Sequence, residues 1–205
     1  MDQVNCTRGY YHHEAAHIRF TDFDTYQERV MRLRKKGENF EAEMCNVVED
    51  CFIEREWMKE FAGSHKMLSV MQRTVDQKVY ASFLNAEQDT FSWQVIGLSA
   101  IQWRDSVEKQ YDPTFRDRCL DFLTPEQRRQ LDQWYENVRA VSNTQDAMRV
   151  AKLITKEMLD EDFKDTKQKH KELNKRLDNW KNLTNEEKEQ LTADMQEVSE
   201  EAEDN

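Results

Sequence analysis

Glycine and proline are scarce: the 205 residues include four glycines and two prolines. Sandwiches, barrels and dinucleotide-binding units spend these residues on turns, so their scarcity argues against all three. Long hydrophobic runs are missing as well. No apolar stretch reaches the roughly 18 residues of a membrane-spanning helix, and no secretory-type segment opens the sequence. Cysteine is limited to Cys6, Cys45, Cys51 and Cys119, and no two form a CxxC pair. That spacing supports neither a cysteine zinc site nor a redox motif, and free buried thiols in a reducing, cytoplasmic setting are the expectation. Positive charge is also in short supply, with 30 Lys and Arg against 41 Asp and Glu. Of the net −11, −8 falls between Glu186 and Asn205, where nine acids accompany Lys188 alone. Without a basic patch, nucleic-acid binding is not expected. The acidic end reads as a solvated tail or an electrostatic arm.

What the chain does have is charge (35% of residues), 21 aromatics and an abundance of strong helix formers. This composition predicts a mainly α protein with a modest core. Tyr10 to Phe20 has no helix breaker, Asp22 to Thr25 reads as a turn, and Tyr26 to Lys36 is basic and amphipathic, with Gly37 suited to a helix C-terminus. Asn39 to Ala62 is the longest early helix, its apolar face formed by Phe40, Met44, Val47, Cys51, Met58 and Phe61. Gly63 ends it, and Ser64 is suited to cap a helix running to about Leu84. Thr90 to Ser106 reads as buried, and Asp112–Pro113 breaks the pattern. Thr124-Pro125-Glu126-Gln127 carries the signature of a capping box with proline at the first helical position, starting a helix to about Val141. Thr144 is suited to cap another helix reaching Leu159. Asp160 to Trp180 is charge-laced, and Thr184-Asn185-Glu186-Glu187 is a second capping-box pattern.

One motif carries chemistry: His13-Glu14-Ala15-Ala16-His17, an H-E-x-x-H sequence. On a helix, residues i and i+4 share a face, so two imidazoles can reach one metal ion while the intervening glutamate serves as general base. Catalytic zinc takes three protein ligands, and the third is expected from a second helix. The best candidate is Asn46 to Glu54. Counting about 100° per residue, Asp50 and Glu54 fall inside the apolar arc and Glu49 points nearly opposite. An acid on a buried face must be paired or metal-bound. The angles therefore favour Asp50 as ligand and Glu54 as the partner of a ligand histidine. His12 reads as an exposed histidine, with a group supporting the ligands or a substrate contact as the alternative, and Arg19 as a structural ion-pair residue. Tyr10 and Tyr11 read as packing residues, with an oxyanion-stabilising hydroxyl as the alternative. Trp93, Trp103 and Trp134 read as core; His65 and His170 take no assignment.

The stretch His12 to Phe23, followed by Asn46-x-x-Glu49-Asp50-x-x-Ile53-Glu54, resembles phage- and bacterium-encoded metallopeptidase-like proteins described as cobaltochelatase T-subunit homologues, which are similar to gluzincin-type zincins. Ser142 to Lys152 resembles a further helical segment of that group, so the resemblance covers about residues 8 to 157. It implies zinc held by His13 and His17, Glu14 as general base, and a third ligand within the pair Glu49–Asp50. It implies a protein or peptide substrate, a bacterial or phage-infected cytoplasm, and a partner chain bearing a von Willebrand A-type domain. In the thermolysin-like pattern Glu-x-x-x-Asp, the glutamate binds metal and the aspartate orients a histidine. Here Glu49 has Ile53 four residues on and Asp50 has Asn46 four residues back, so both acids remain candidates.

Zincins also set a small β-sheet before the active-site helix, and its edge strand binds substrate. Only twelve residues precede His13, too few for that sheet. A fragment, a sheet supplied by another polypeptide, or a metal site that does not process peptides would each account for this. The expected organisation is a zincin-like helical metal-binding region over residues 1–110, a helical region over 111–184 and an acidic tail over 185–205. The competing function is a helical accessory or interaction subunit of an ATPase- or chelatase-type complex, or a phage accessory protein, in which any metal is structural.

Overall fold

The computed structural model describes residues 2–85, 93–111 and 123–160. Among them the protein is mainly helical and has no strand. The chain divides into two compact units, Met1–Lys156 and Glu157–Asn205. Only residues 157–160 of the second are described, and they are helical. Trp180, His170, Cys119, Asp112–Pro113, the second capping-box pattern and the acidic tail lie outside the described residues.

The first unit is built from α1 (Asp2–Phe20), α2 (Phe23–Lys35), α3 (Asn39–Glu60), a 3₁₀ turn at Ala62–Ser64, α4 (His65–Asn85), α5 (Trp93–Glu108), α6 (Pro125–Arg139) and α7 (residues 144–160, continuing into the second unit). α1 is longer than Tyr10 to Phe20. The Asp22–Thr25 turn shrinks to a cap, because Asp22 Oδ1 accepts from the Thr25 amide and α2 begins at Phe23. α2 ends as its Gly37 suggests. Gly37 takes φ +81°, the Glu38 amide bonds the Leu33 carbonyl at 3.0 Å and the Gly37 amide bonds that of Arg34 at 3.1 Å. This paired closure satisfies carbonyls that the last helical turn leaves free. The Thr124–Gln127 capping box forms reciprocally, with both bonds present and Pro125 in the first turn.

Two expected caps form differently. Ser64 is buried in the 3₁₀ turn with no hydrogen-bond partner for its hydroxyl, so it does not cap α4. At α7 the cap is Asn143, whose Oδ1 accepts from the Asp146 amide at 2.9 Å. That leaves the Thr144 hydroxyl for tertiary contacts.

α3 is the centre of the unit, packed against α1, α2, α5 and α6. Met44, Cys45, Val47, Val48, Cys51, Phe52 and Ile53 are all buried, on every side of the helix. A helix apolar all round belongs in a core. α1 lies against α4 and α3. The α1–α4 approach is close enough that a Cβ on Gly9 would collide with the Met67 carbonyl oxygen and sit 2.6 Å from Met71 Cβ. Arg55 of α3 donates to the Val138 and Val141 carbonyls at the end of α6, tying that end to the core. Trp103 and Trp134 are buried as expected; the Trp93 side chain lies outside the description. Cys45 and Cys51 are buried free thiols and Cys6 is a half-buried one.

Candidate metal centre

α1 presents His13 and His17 one turn apart, their rings edge to face with centroids 4.9 Å apart. α3 brings Asp50 against both. Asp50 Oδ1 lies 3.2 Å from His17 Nε2 and 3.7 Å from His13 Nε2. One ligand atom from each of the three residues falls within 4.8 Å of the others. On a tetrahedral zinc with bonds of about 2.0–2.2 Å, two ligand atoms lie about 3.4 Å apart, between the two observed distances. Asp50 Oδ1 is buried and has no hydrogen-bond partner. Its close neighbours are the two imidazoles, and a buried carboxylate oxygen needs such a positive partner, a protonated imidazole or a metal ion. The three groups therefore fit a divalent ion of the zinc type, which takes imidazole and carboxylate together.

Each group is oriented from behind. Glu54, one turn beyond Asp50, receives the Nδ1 proton of His13 at 2.9 Å. A carboxylate only accepts, so Nδ1 is the donor and Nε2 faces Asp50. His17 Nδ1 lies 3.0 Å from the Thr21 hydroxyl. Asn46 donates to Asp50 Oδ2 at 3.0 Å, and the Tyr26 hydroxyl donates to Asn46 at 2.9 Å. Supporting bonds of this kind fix ring orientation at metal sites.

The electrostatics follow from these contacts. Burial lowers the His13 pKa, but the Glu54 hydrogen bond and the nearby carboxylates of Asp50, Glu54 and Glu14 outweigh it and raise it to about 9. Burial pushes the Glu54 carboxyl up, yet the Lys109 ammonium and His13 pull it down to about 2. The Cys51 thiol, fully buried beside Asp105, is pushed well above its usual value and stays protonated.

Glu49 is not where its helical angle put it. Instead of facing away from the core it is completely buried, and its Oε1 accepts from the Thr144 hydroxyl at 2.9 Å. Thr144 Oγ1 in turn accepts from the Asp22 amide at 2.8 Å. Between Met44 and Glu54 α3 has no exposed residue, its exposed ones (Glu43, Lys59 and Glu60 among them) lying outside that stretch, and Thr144 of α7 covers the Glu49 side. Burial raises the Glu49 carboxyl, which the Thr144 and Thr21 hydroxyls and His17 only partly offset. The cluster that could hold a metal thus contains Asp50 and not Glu49.

Glu14 is exposed on α1. A cavity of about 160 Å³ beside the site is lined by Tyr10, His13, Asp50, Glu54, Gln72 and Gln102 among others, and Glu14 is not part of its lining. Tyr10 and Tyr11 do not pack in the core: they are 43% and 72% exposed, and Tyr10 borders the cavity. His12 is half-buried and not exposed as expected, because it packs against Trp57 and accepts from its indole at 3.1 Å. Arg19 makes the expected ion pair, with Glu60 at 3.5 Å on the surface. His65 bonds the Lys109 carbonyl at 2.9 Å. Thr21, Tyr26, Lys109 and Tyr111 carry supporting roles that the sequence reading did not assign, and Asn46, noted there four residues before Asp50, supports that carboxylate. Thr21, four residues beyond His17, and Asn46, four before Asp50, carry a helical-spacing signal.

No helix among the described residues is long and apolar enough to cross a membrane. Comparison with protein-family models, with curated proteins and with solved structures found no match.

Proposed function

We propose that this chain is a zinc-dependent, metallopeptidase-like hydrolase, with His13, His17 and Asp50 as metal ligands and Glu14 as general base. The convergence of one ligand atom from each of those three residues to within 4.8 Å of one another supports this above all. When bound, zinc supplies a Lewis acid that makes water acidic near neutral pH. Glu54 holds His13 so that Nε2 points at the ion, Thr21 does the same for His17, and Asn46 steadies the second oxygen of Asp50. Glu14 follows His13 directly on α1 and is free of the core, so it can take up and release a proton. The cavity beside His13 and Asp50 is the place for part of a protein or peptide substrate.

A second reading keeps the metal and drops the catalysis. Glu14 does not line the cavity, and no strand is present among the described residues to bind an extended peptide. In that reading the ion staples α1 to α3 within an accessory subunit, and the acidic end recruits a partner such as a von Willebrand A-type domain.

Zinc content and peptide hydrolysis of the wild type and Glu14→Gln separate the two. About one zinc per chain with turnover lost in Glu14→Gln and metal retained is the hydrolase outcome. Metal retained with no turnover in either protein is the structural outcome. Zinc far below one equivalent after metal-replete purification would refute both. Truncation after Thr184 tests the recruiting role: a partner complex of unchanged strength would remove it.

A further inference from the structure

Glu54 receives the Nδ1 proton of His13 through one oxygen only, Oε1. Its other oxygen, Oε2, accepts from Lys109 Nζ at 2.9 Å and from the Tyr111 hydroxyl at 3.0 Å. All three side chains are buried: Glu54 is 4%, Lys109 8% and Tyr111 3% exposed. Lys109 also pairs with Asp105 one turn back, and Asp105 accepts from the Tyr135 hydroxyl at 2.6 Å. The chain of contacts therefore runs from α1 through α3 and α5 to α6.

Backbone geometry brings the two donors together. α5 ends at Glu108, and in the turn that follows Gln110 takes the left-handed φ of 55°. The Tyr111 amide then bonds the Ser106 carbonyl at 3.0 Å, and the Gln110 amide bonds that of Val107 at 3.2 Å. This sharp closure lets Lys109, the first residue past the helix, and Tyr111, two residues on, face one carboxylate. Left-handed backbone is unfavourable for a residue with a Cβ, so the site is held against a local cost.

We infer that Lys109 and Tyr111 are positioning residues for the metal ligand His13: by fastening Oε2 they fix the orientation of Glu54 and so aim the His13 ring. This rests on the metal-binding reading above. With Oε2 held by two donors, the carboxylate cannot swing away from His13 without abandoning both. With Oε2 released, the same carboxylate gains rotational freedom and the imidazole loses its fixed direction. Neither residue reaches the ion itself, so their effect passes through Glu54.

The test is zinc affinity of the full chain, measured by competition with a chromophoric chelator, together with the visible spectrum of the Co²⁺-loaded protein. Tyr111→Phe keeps the ring and removes the one hydroxyl donor. It is expected to weaken zinc binding roughly threefold to tenfold, the loss of one hydrogen bond, and to shift the Co²⁺ bands. Lys109→Met is expected to weaken it by more, roughly tenfold to a hundredfold, with Lys109→Arg restoring part of the loss. Should Lys109→Met fail to fold, Tyr111→Phe and Lys109→Arg still decide the matter. A purely structural role would lower the melting temperature of the metal-free protein and leave both affinity and Co²⁺ spectrum unchanged; that result overturns the inference. If the wild type itself binds neither Zn²⁺ nor Co²⁺, the metal reading fails and this inference with it. Wild-type binding matched by Tyr111→Phe and Lys109→Met refutes the inference alone.

Discussion

Replacing Asp50 by Asn tests whether α3 supplies a metal ligand and which of its two adjacent acids does so. The substitution preserves shape and removes the charge of the oxygen that lies 3.2 Å from His17 Nε2 and 3.7 Å from His13 Nε2. Two unit charges 4 Å apart interact by about 4 kcal/mol at an effective dielectric constant near 20. A divalent ion nearer than that makes this a lower bound. About 4 kcal/mol corresponds to a zinc affinity roughly a thousandfold weaker. Glu49→Gln is the matched control. Glu49 is buried, but its partners are the Thr144 and Thr21 hydroxyls, from which an amide oxygen also accepts. Its effect on zinc is expected to stay within about threefold, well inside the spread of one hydrogen bond. Glu54→Gln should fall between the two, about tenfold to a hundredfold, because it orients His13 without touching the ion.

The assay is chelator competition at fixed pH, with metal stoichiometry by elemental analysis and apo-protein melting as a folding control. The pH must be held. His13 keeps its proton up to about 9 in the metal-free protein, so zinc has to displace it. Below that pH, apparent affinity should drop about tenfold per unit. If Glu49→Gln loses as much affinity as Asp50→Asn, or more, the assignment of the third ligand is wrong.

Asp76 is buried on α4, and burial lifts its carboxyl to about 6 against a bond from Gln72. A carboxyl raised by folding costs stability as pH climbs from about 4 to about 6, because the native state must then hold a buried charge. Asp76→Asn should therefore stabilise the protein by about 2–3 kcal/mol at pH 7 and by little at pH 4; equal effects in urea denaturation at the two pH values would refute this. Gly9→Ala would gain about 1 kcal/mol from helix propensity alone. The collision with Met67 and Met71 should reverse the sign and cost about 1–3 kcal/mol, and a stabilised variant in the same assay would show that α1 and α4 are less closely packed. Gln110→Gly should raise stability by about 1 kcal/mol by relieving the left-handed residue at the end of α5; a lower melting temperature would count against that strain.

How much of this was legible in the sequence depends on the range of each interaction. Thr124–Gln127 and Gly37 act within one turn of backbone, so their residue types alone announced the start of α6 and the end of α2. His13 and His17 share a face by helical spacing, and the same rule set Asp50 and Glu54 one turn apart on α3. Their approach to the histidines matched the angles, because α1 packs on that side of α3. Glu49 was misjudged because an apolar arc has a meaningful back only when one side of a helix meets water. The middle of α3 has no such side, and what covers Glu49 is Thr144, 95 residues later. Thr144 was itself free to do so only because Asn143 took the cap. Lys109 and Tyr111 lie 55 and 57 residues from Glu54, and no spacing rule reaches that far.

By itself, then, the sequence determined the helices, several of their ends and the pairing of His13 with His17, all consequences of bonds closed within a few residues. Only the tertiary structure decided which acid meets those histidines, which is buried elsewhere, and what holds Glu54 in place. Those outcomes depend on which helices pack together, and packing is set by the summed burial of side chains distant in the chain.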